Sequence, residues 1–331
     1  MTKEEKTPRD RLLTGIVIAV SVAGILYFGI RAVTDRSRDR RGDNPFAYDI
    51  ESFRQSGSDL VRFSEVRDIE LPLAMVYALA VGPEDVLYVS GDESILVFDH
   101  EGRHQSTIAV SGKAWCLAVD DSGDLYAGMH DHVEVFGRDG ARKAAWESLG
   151  EEAILTSISL GRDSVFVADA GQRIVWRFDK TGGQPRRIGD RDDARDIPGF
   201  VIPSPYFDVA VDPDGFLWAA NTGRHSLENY TREGDLRSSW GEFSMEIEGF
   251  CGCCNPSHFG ILEDGSFVTS EKGIPRVKIY DRLGRLSSVV AGPDRFDAGT
   301  VGLDLALDSA QRILVLDPAR RAVRIFVKDA E

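Results

Sequence analysis

One phrase returns six times along this chain. From Leu60 onward it runs as an apolar strand, a Gly/Asp turn, a second apolar strand, a polar loop, then a third strand ending in Phe or Tyr. It reads ALAVGPEDVLYVSGDESILVFDHEGR from Ala78 and CLAVDDSGDLYAGMHDHVEVFGRDGAR from Cys116, and it returns from Ser157, Asp208, Gly260 and Asp304. The starts lie 38, 41, 51, 52 and 44 residues apart, the spacing of structural units arrayed around an axis. Within each unit, β-branched and aromatic runs suit half- or fully buried strands. Asp-Gly, Ser-Gly and Pro-Asp-Gly between them supply tight hairpin turns.

Six such units over residues 60–331 leave about 45 residues each, enough for four strands apiece. The expected fold is therefore all-β, a six-bladed β-propeller. The last copy ends with its third strand, VRIFVKD, and has no residues left for a fourth. The stretch VRFSEVRDIELPL (Val61–Leu73) has strand character and is expected to supply that strand, closing the ring. An open ring would leave unpaired edges.

The phrases IPSPYFDVAVDPDGFLWAANTGRHSLENYTREGDLRSSWG and NPSHFGILEDGSFVTSEKGIPRVKIYDRLGRL resemble NHL repeats. That pattern is a Pro, an apolar strand, Asp-x-x-Gly, another apolar strand, Asp/Asn-x-Gly, a basic residue, and a strand ending in Phe-Asp. The resemblance covers about residues 74–331 and is clearest in blades four and five. Blades one and two lack the Pro and the Asn-Gly loop. It implies the fold and leaves function open, since propellers host lyases, lactonases, sensors and binding platforms.

Between blades four and five lies GFCGCCNPSHFGIL, which puts Cys251, Cys253, Cys254 and His258 within eight residues. By the repeat logic this segment joins an outer strand to the next innermost one, on the face beside the central channel. Thiolates and imidazole at this density suit copper, zinc or part of an iron–sulfur cluster. Cys251 and Cys254 form a C-x-x-C, and His258 completes a four-ligand set. Asn255 stands where a c-type haem attachment needs His. Two alternatives stay open: a disulfide from Cys251 to Cys253 or Cys254, and a redox-active pair. Cys116 opens the innermost strand of blade two, opposite blade five, and reads as a small buried residue.

Other candidates share that face. They are His130, Asp131 and His132 in blade two, Arg224 and His225 in blade four, and Glu271 and Lys272 in blade five. Each alone is an ordinary loop residue; with His258 they would line a polar funnel. Asp208 and Asp304 occupy one register in their blades. They would suit a metal ligand of a propeller hydrolase, but a strand–loop hydrogen bond is the reading preferred here. G-x-S-x-G, P-loop, H-E-x-x-H and full EF-hand motifs are absent.

The amino-terminal part reads differently. Leu12–Ile30 is an uncharged run of 19 residues, about the ~20 that cross a bilayer as a helix. It exceeds a signal-peptide core, and no A-x-A-like site follows it. Lys3, Lys6, Arg9 and Arg11 precede it, and Arg31, Arg36, Arg38, Arg40 and Arg41 follow. The expected organisation is a tail (1–11), a transmembrane anchor (12–30), a polar tether (31–59) and the propeller (60–331), with the propeller on the exported, periplasmic or extracellular, side. Residues 1–41 hold nine Lys/Arg against five Asp/Glu, so a net of +4 leaves −19 on the rest of a chain whose total is −15. A domain that acidic repels phosphate backbones, which excludes a nucleic-acid partner.

The expected function is a membrane-tethered binding or electron-transfer-associated module, with a metal or cluster in the cysteine loop and a protein partner on the channel face. A metal-dependent lyase or hydrolase, and an interaction platform with a disulfide staple, are the alternatives. Elemental analysis of protein prepared without air tests the metal reading. Stoichiometric metal, lost in Cys251→Ser, is its expected result, and metal-free parent protein contradicts it.

Overall fold

Asp-x-x-Gly turns cut the first five copies into hairpins. At the first hairpin of blade two, Asp120 Oδ1 accepts the backbone N–H groups of Ser122 (2.9 Å) and Asp124 (3.0 Å). Gly123 then takes φ of +86°, which only glycine adopts cheaply. The same device returns at Asp212–Gly215 and Asp281–Gly284. It turns the chain tightly enough for successive apolar runs to pair antiparallel.

The computed structural model describes residues 58–330 apart from Cys253 and Ala298. The strands form six four-stranded sheets, five of them built from four consecutive strands. The innermost strands are Ala78–Val81, Cys116–Val119, Leu155–Leu160, Val209–Val211, His258–Ile261 and Asp304–Leu307. Two of these begin two residues earlier than the repeat suggests, which brings His258 to the head of blade five's inner strand. The sixth sheet closes the ring: Phe63–Glu70 pairs antiparallel with Ala322–Lys328, Glu65 opposite Phe326. The expected transmembrane anchor (12–30) and all of the expected tether but its last two residues lie outside the described residues. No helix among the described residues is long and apolar enough to cross a membrane.

The core occupies the seams between blades. Each of the six apolar clusters joins two neighbours, as where Val89 and Leu96 of blade one meet Leu316 and Val323 of blade six. Each fully buried Val, Leu or Ile contributes about 1.5–3 kcal/mol. The middle strands, such as Leu87–Gly91, Ser164–Asp169 and Ile313–Asp317, are buried on both faces, which is why their runs read as continuously apolar, while outer strands such as His104–Ala109 are mostly exposed.

The closing strand carries its own polar lock. Arg324 is 1% exposed and pairs with Glu65 (2.7 Å) and Asp317 (3.2 Å), while Arg295 also reaches Glu65 (2.9 Å). The Arg324 hydrogen bond is the largest influence on Glu65, whose carboxyl drops from 4.5 to about 2 against the opposing effect of burial. A depressed carboxyl stabilises the fold above its unfolded pKa, and that stability disappears as pH falls through the folded one. Glu65→Gln should therefore cost about 1.5–3 kcal/mol at neutral pH. In urea titrations the gap between parent and variant should close as pH falls from 4.5 towards about 2.

Candidate functional site

Antiparallel blades put the head of every innermost strand on one face, together with the loops between second and third strands. Three titratable side chains converge there. His258 heads blade five's inner strand, Asp304 heads that of blade six, and Asp208 immediately precedes that of blade four. His258 Nδ1 lies 3.3 Å from Asp304 Oδ1 and 3.9 Å from Asp208 Oδ2. They line a cavity of about 100 Å³ with Cys116, Trp115, Thr156 and Ser157.

Both carboxylates are fixed by backbone. Asp208 Oδ1 accepts from Val209 N–H (2.9 Å) and its Oδ2 from Phe259 N–H of the next blade (2.7 Å). Asp304 Oδ1 accepts from Leu305 N–H (2.8 Å) and its Oδ2 from Leu79 N–H of blade one (2.8 Å). The strand–loop reading of these residues thus becomes a bond between blades, and the same carboxylates also face His258. Burial pushes both carboxyls up, Asp304 to about 6, while His258 pulls them back; the charge of Asp208 adds to the rise at Asp304. The cavity's hydroxyls serve the seam between blades three and four: Thr156 donates to Phe207 O (2.6 Å) and Ser157 to Val209 O (3.4 Å). Burial raises the Cys116 thiol far above its ordinary range, which keeps it neutral.

Aromatic rings frame this mouth. Tyr206 meets the His258 ring edge-on at 6.2 Å, and Lys272 Nζ sits 4.8 Å from the Tyr206 ring centre. Lys113 Nζ lies 5.5 Å from Trp115 and 5.6 Å from Tyr77. A wider cavity of about 590 Å³ opens on the opposite face, between Asp212, Glu263, Asp308 and Arg232. The narrower one gathers an imidazole and two carboxyls that burial raises, the kind of grouping that marks functional sites.

Among the residues read as a metal set, Cys253 lies outside the described residues. His258 joins the channel mouth, Cys254 is buried, and Cys251 is a buried free thiol whose N–H donates to Glu271 Oε2 (3.1 Å). No three His, Cys, Asp or Glu side chains group as a metal site among the described residues. Burial, and then the charge of Glu271, raises the Cys251 thiol.

Glu271 in turn is fully buried with Arg276 (2.8 Å) and Lys278 (2.7 Å). Burial alone would raise its carboxyl, but the two cations outweigh that and hold it low. Lys278 also donates to Ile247 O (2.9 Å) and Gly249 O (2.7 Å), pinning the segment that leads to the cysteines. Asn255 accepts from Lys272 N–H (2.9 Å) and donates to Lys272 O (2.9 Å). The cysteine segment therefore sets the loop that carries Lys272 to the mouth.

The remaining loop candidates spread out. His132 Nδ1 pairs with Asp131 (2.8 Å), while His225 Nε2 donates to Gly252 O (2.6 Å); neither lines the cavity. The sequence places His258 both with the cysteines and in a polar funnel, and offers Asp208 and Asp304 as a strand–loop hydrogen bond or a metal ligand, without joining the three. Their shared register at the head of inner strands was the signal that joins them.

No protein-family model matches the chain. Solved structures share the fold. A streptogramin B lyase superposes with a TM-score of 0.58 at 11% identity, covering 81% of this chain and 98% of its own. A Bacteroides thetaiotaomicron protein of unknown function gives 0.60 at 13%, covering 80% of this chain and 75% of its own. Virginiamycin B lyase from Staphylococcus aureus, solved as a catalytically inactive histidine-to-alanine variant with quinupristin, gives 0.54 at 12%, covering 78% and 82%. At these identities the likeness shows the propeller alone.

Glu271→Gln leaves two buried cations without their counter-charge, which should cost about 3–5 kcal/mol in urea unfolding. A loss below about 1 kcal/mol, the range of exposed pairs, would show that the triad does not hold the segment.

Proposed function

We propose that the channel mouth is an acid–base catalytic site for a small organic substrate, of the lyase or hydrolase class, with His258 moving the proton. The observation that carries this is one imidazole facing two carboxylates, each anchored to a different neighbouring blade. The reading favours the enzyme alternative over the binding or electron-transfer module.

Carboxylates beside Nδ1 favour the tautomer with its proton there, leaving Nε2 as the basic nitrogen. In an elimination, Nε2 takes a proton from carbon, the C–H electron pair becomes the new double bond, and the leaving oxygen departs with the bonding pair. The imidazolium, stabilised by Asp304 and Asp208, returns its proton to that oxygen. In a hydrolysis, Nε2 would take the proton from an attacking water. Thr156 and Ser157 are engaged by backbone and by Asp208, the thiol is held neutral, and both carboxylates are taken up by backbone N–H groups, so the proton-transfer role is assigned to the imidazole they face. The lyases among the structural neighbours, one of them inactivated by loss of a histidine, are consistent with this chemistry.

A panel of lactones and of esters with an acidic proton β to the leaving oxygen tests it. The parent protein should turn over members of one class, and His258→Gln should lose about 10²–10⁴-fold. Parent rates equal to buffer, or an unaffected His258→Gln, would contradict the assignment.

In this reading Leu12–Ile30 anchors the chain with the propeller on the exported side, supported by the length of the run and its basic flanks. Protease added to spheroplasts should release the propeller by cutting the tether over 31–59. Cleavage only after lysis would reverse the orientation.

A further inference from the structure

Six large apolar side chains stand exposed on the channel face, one on each connection entering a blade: Met75, Trp115, Ile154, Val201, Phe243 and Val301. The other exposed large apolar residues, Val61, Val66 and Leu283, lie near the closing strand and in an outer hairpin. Exposure on this face therefore follows the six-fold repeat, unlike the scattered apolar residues of an ordinary surface.

The backbone holds several of these residues in place. Met75 N–H donates to Asp92 Oδ1 (3.0 Å), Ile154 N–H to Asp169 Oδ1 (3.0 Å) and Val201 N–H to Asn221 Oδ1 (2.9 Å). Their carbonyls accept from Asp92, Ala170 and Gly223 (3.2, 2.8 and 2.8 Å). Trp115 N–H donates to Gly128 O (2.7 Å). Glycine beneath makes the approach feasible: a Cβ at Gly91 would stand 2.1 Å from the Met75 carbonyl oxygen, and one at Gly223 2.6 Å from that of Val201. With both backbone groups clamped to the blade, these residues keep their positions on the face. In blade five the clamped position is Cys251, buried against Glu271, and Phe243 is the exposed residue instead, edge-on to His225 at 5.1 Å.

We propose that this ring is the docking surface for a basic, amphipathic protein segment. Pre-ordered apolar side chains on rigid backbone bind with little entropy left to lose. Charge selects the partner: exposed Glu147, Glu151 and Glu152 precede Ile154, and exposed Glu242, Glu246 and Glu248 flank Phe243. Lys113 and Lys272 are held over aromatic rings, and Arg173, Arg224, Arg320 and Arg321 lie in the loops between second and third strands. With −19 on the chain beyond residue 41, a second copy and an anionic bilayer are both repelled. The ring stands on backbone geometry and does not depend on proton transfer at His258.

Calorimetric titration with a synthetic amphipathic Leu/Lys peptide tests this. Ile154→Ser combined with Val201→Ser should weaken binding about tenfold or more, as loss of interface anchors does. Leu283→Ser, apolar and 71% exposed but on the opposite face, should leave it unchanged, which separates the ring from general charge attraction. Equal binding by the ring variant, equal binding of a Leu/Glu peptide, or self-association through the ring would each overturn the proposal.

Discussion

The propeller turns on two carboxylates that bond across seams. Blades in a ring share few sheet hydrogen bonds with their neighbours, here a bridge from Val61 to Val289 with Arg62 N–H donating to Val289 O (3.2 Å); apolar packing presses them together without fixing their heights along the axis. Asp208 and Asp304 each accept one N–H from their own blade and one from the next, which sets that height at two seams. Ser90, bonded to Ala78 N–H and Ala114 O, and Ser270, bonded to Leu303 O, do the same with hydroxyls elsewhere. Hydroxyls perform this task without a charge to desolvate. Placing carboxylates there, against the cost of burial that pushes Asp304 up to about 6, makes sense where the charge has a second use. His258 between them is that use.

Architecture was legible because repetition is a global signal. Six copies with one internal order of strands and turns left few folds to consider, and the missing fourth strand of the last copy pointed to Val61–Leu73. The strand Phe63–Glu70 fills that place. The polar lock of Glu65, Arg324 and Asp317 was invisible, because Glu65 and Arg324 are 259 residues apart.

The site was half legible. Reading GFCGCCNPSHFGIL as one constellation joined His258 to the cysteines by proximity in sequence. His258 begins the inner strand and faces the two carboxylates, while Cys251 and Cys254 precede Asn255-Pro256 and are buried; Cys253, the remaining member of that set, lies outside the described residues. Residues far apart in sequence but equal in register, Asp208, His258 and Asp304, meet instead. The cysteine segment keeps a role in that geometry, since Glu271, Arg276 and Lys278 hold its approach and Asn255 holds Lys272. Register around the axis carries more information about a propeller's site than density along the chain.

In the proposed reaction Asp304 and Asp208 orient His258 for proton transfer. The ¹⁵N chemical shifts of the His258 ring at alkaline pH report which nitrogen holds the proton. A protonated, pyrrole-type Nδ1 beside the carboxylates and a pyridine-type Nε2 are expected, with the preference weakened in Asp304→Asn. A ring protonated on Nε2, or a tautomer mixture indifferent to Asp304, would contradict that orientation.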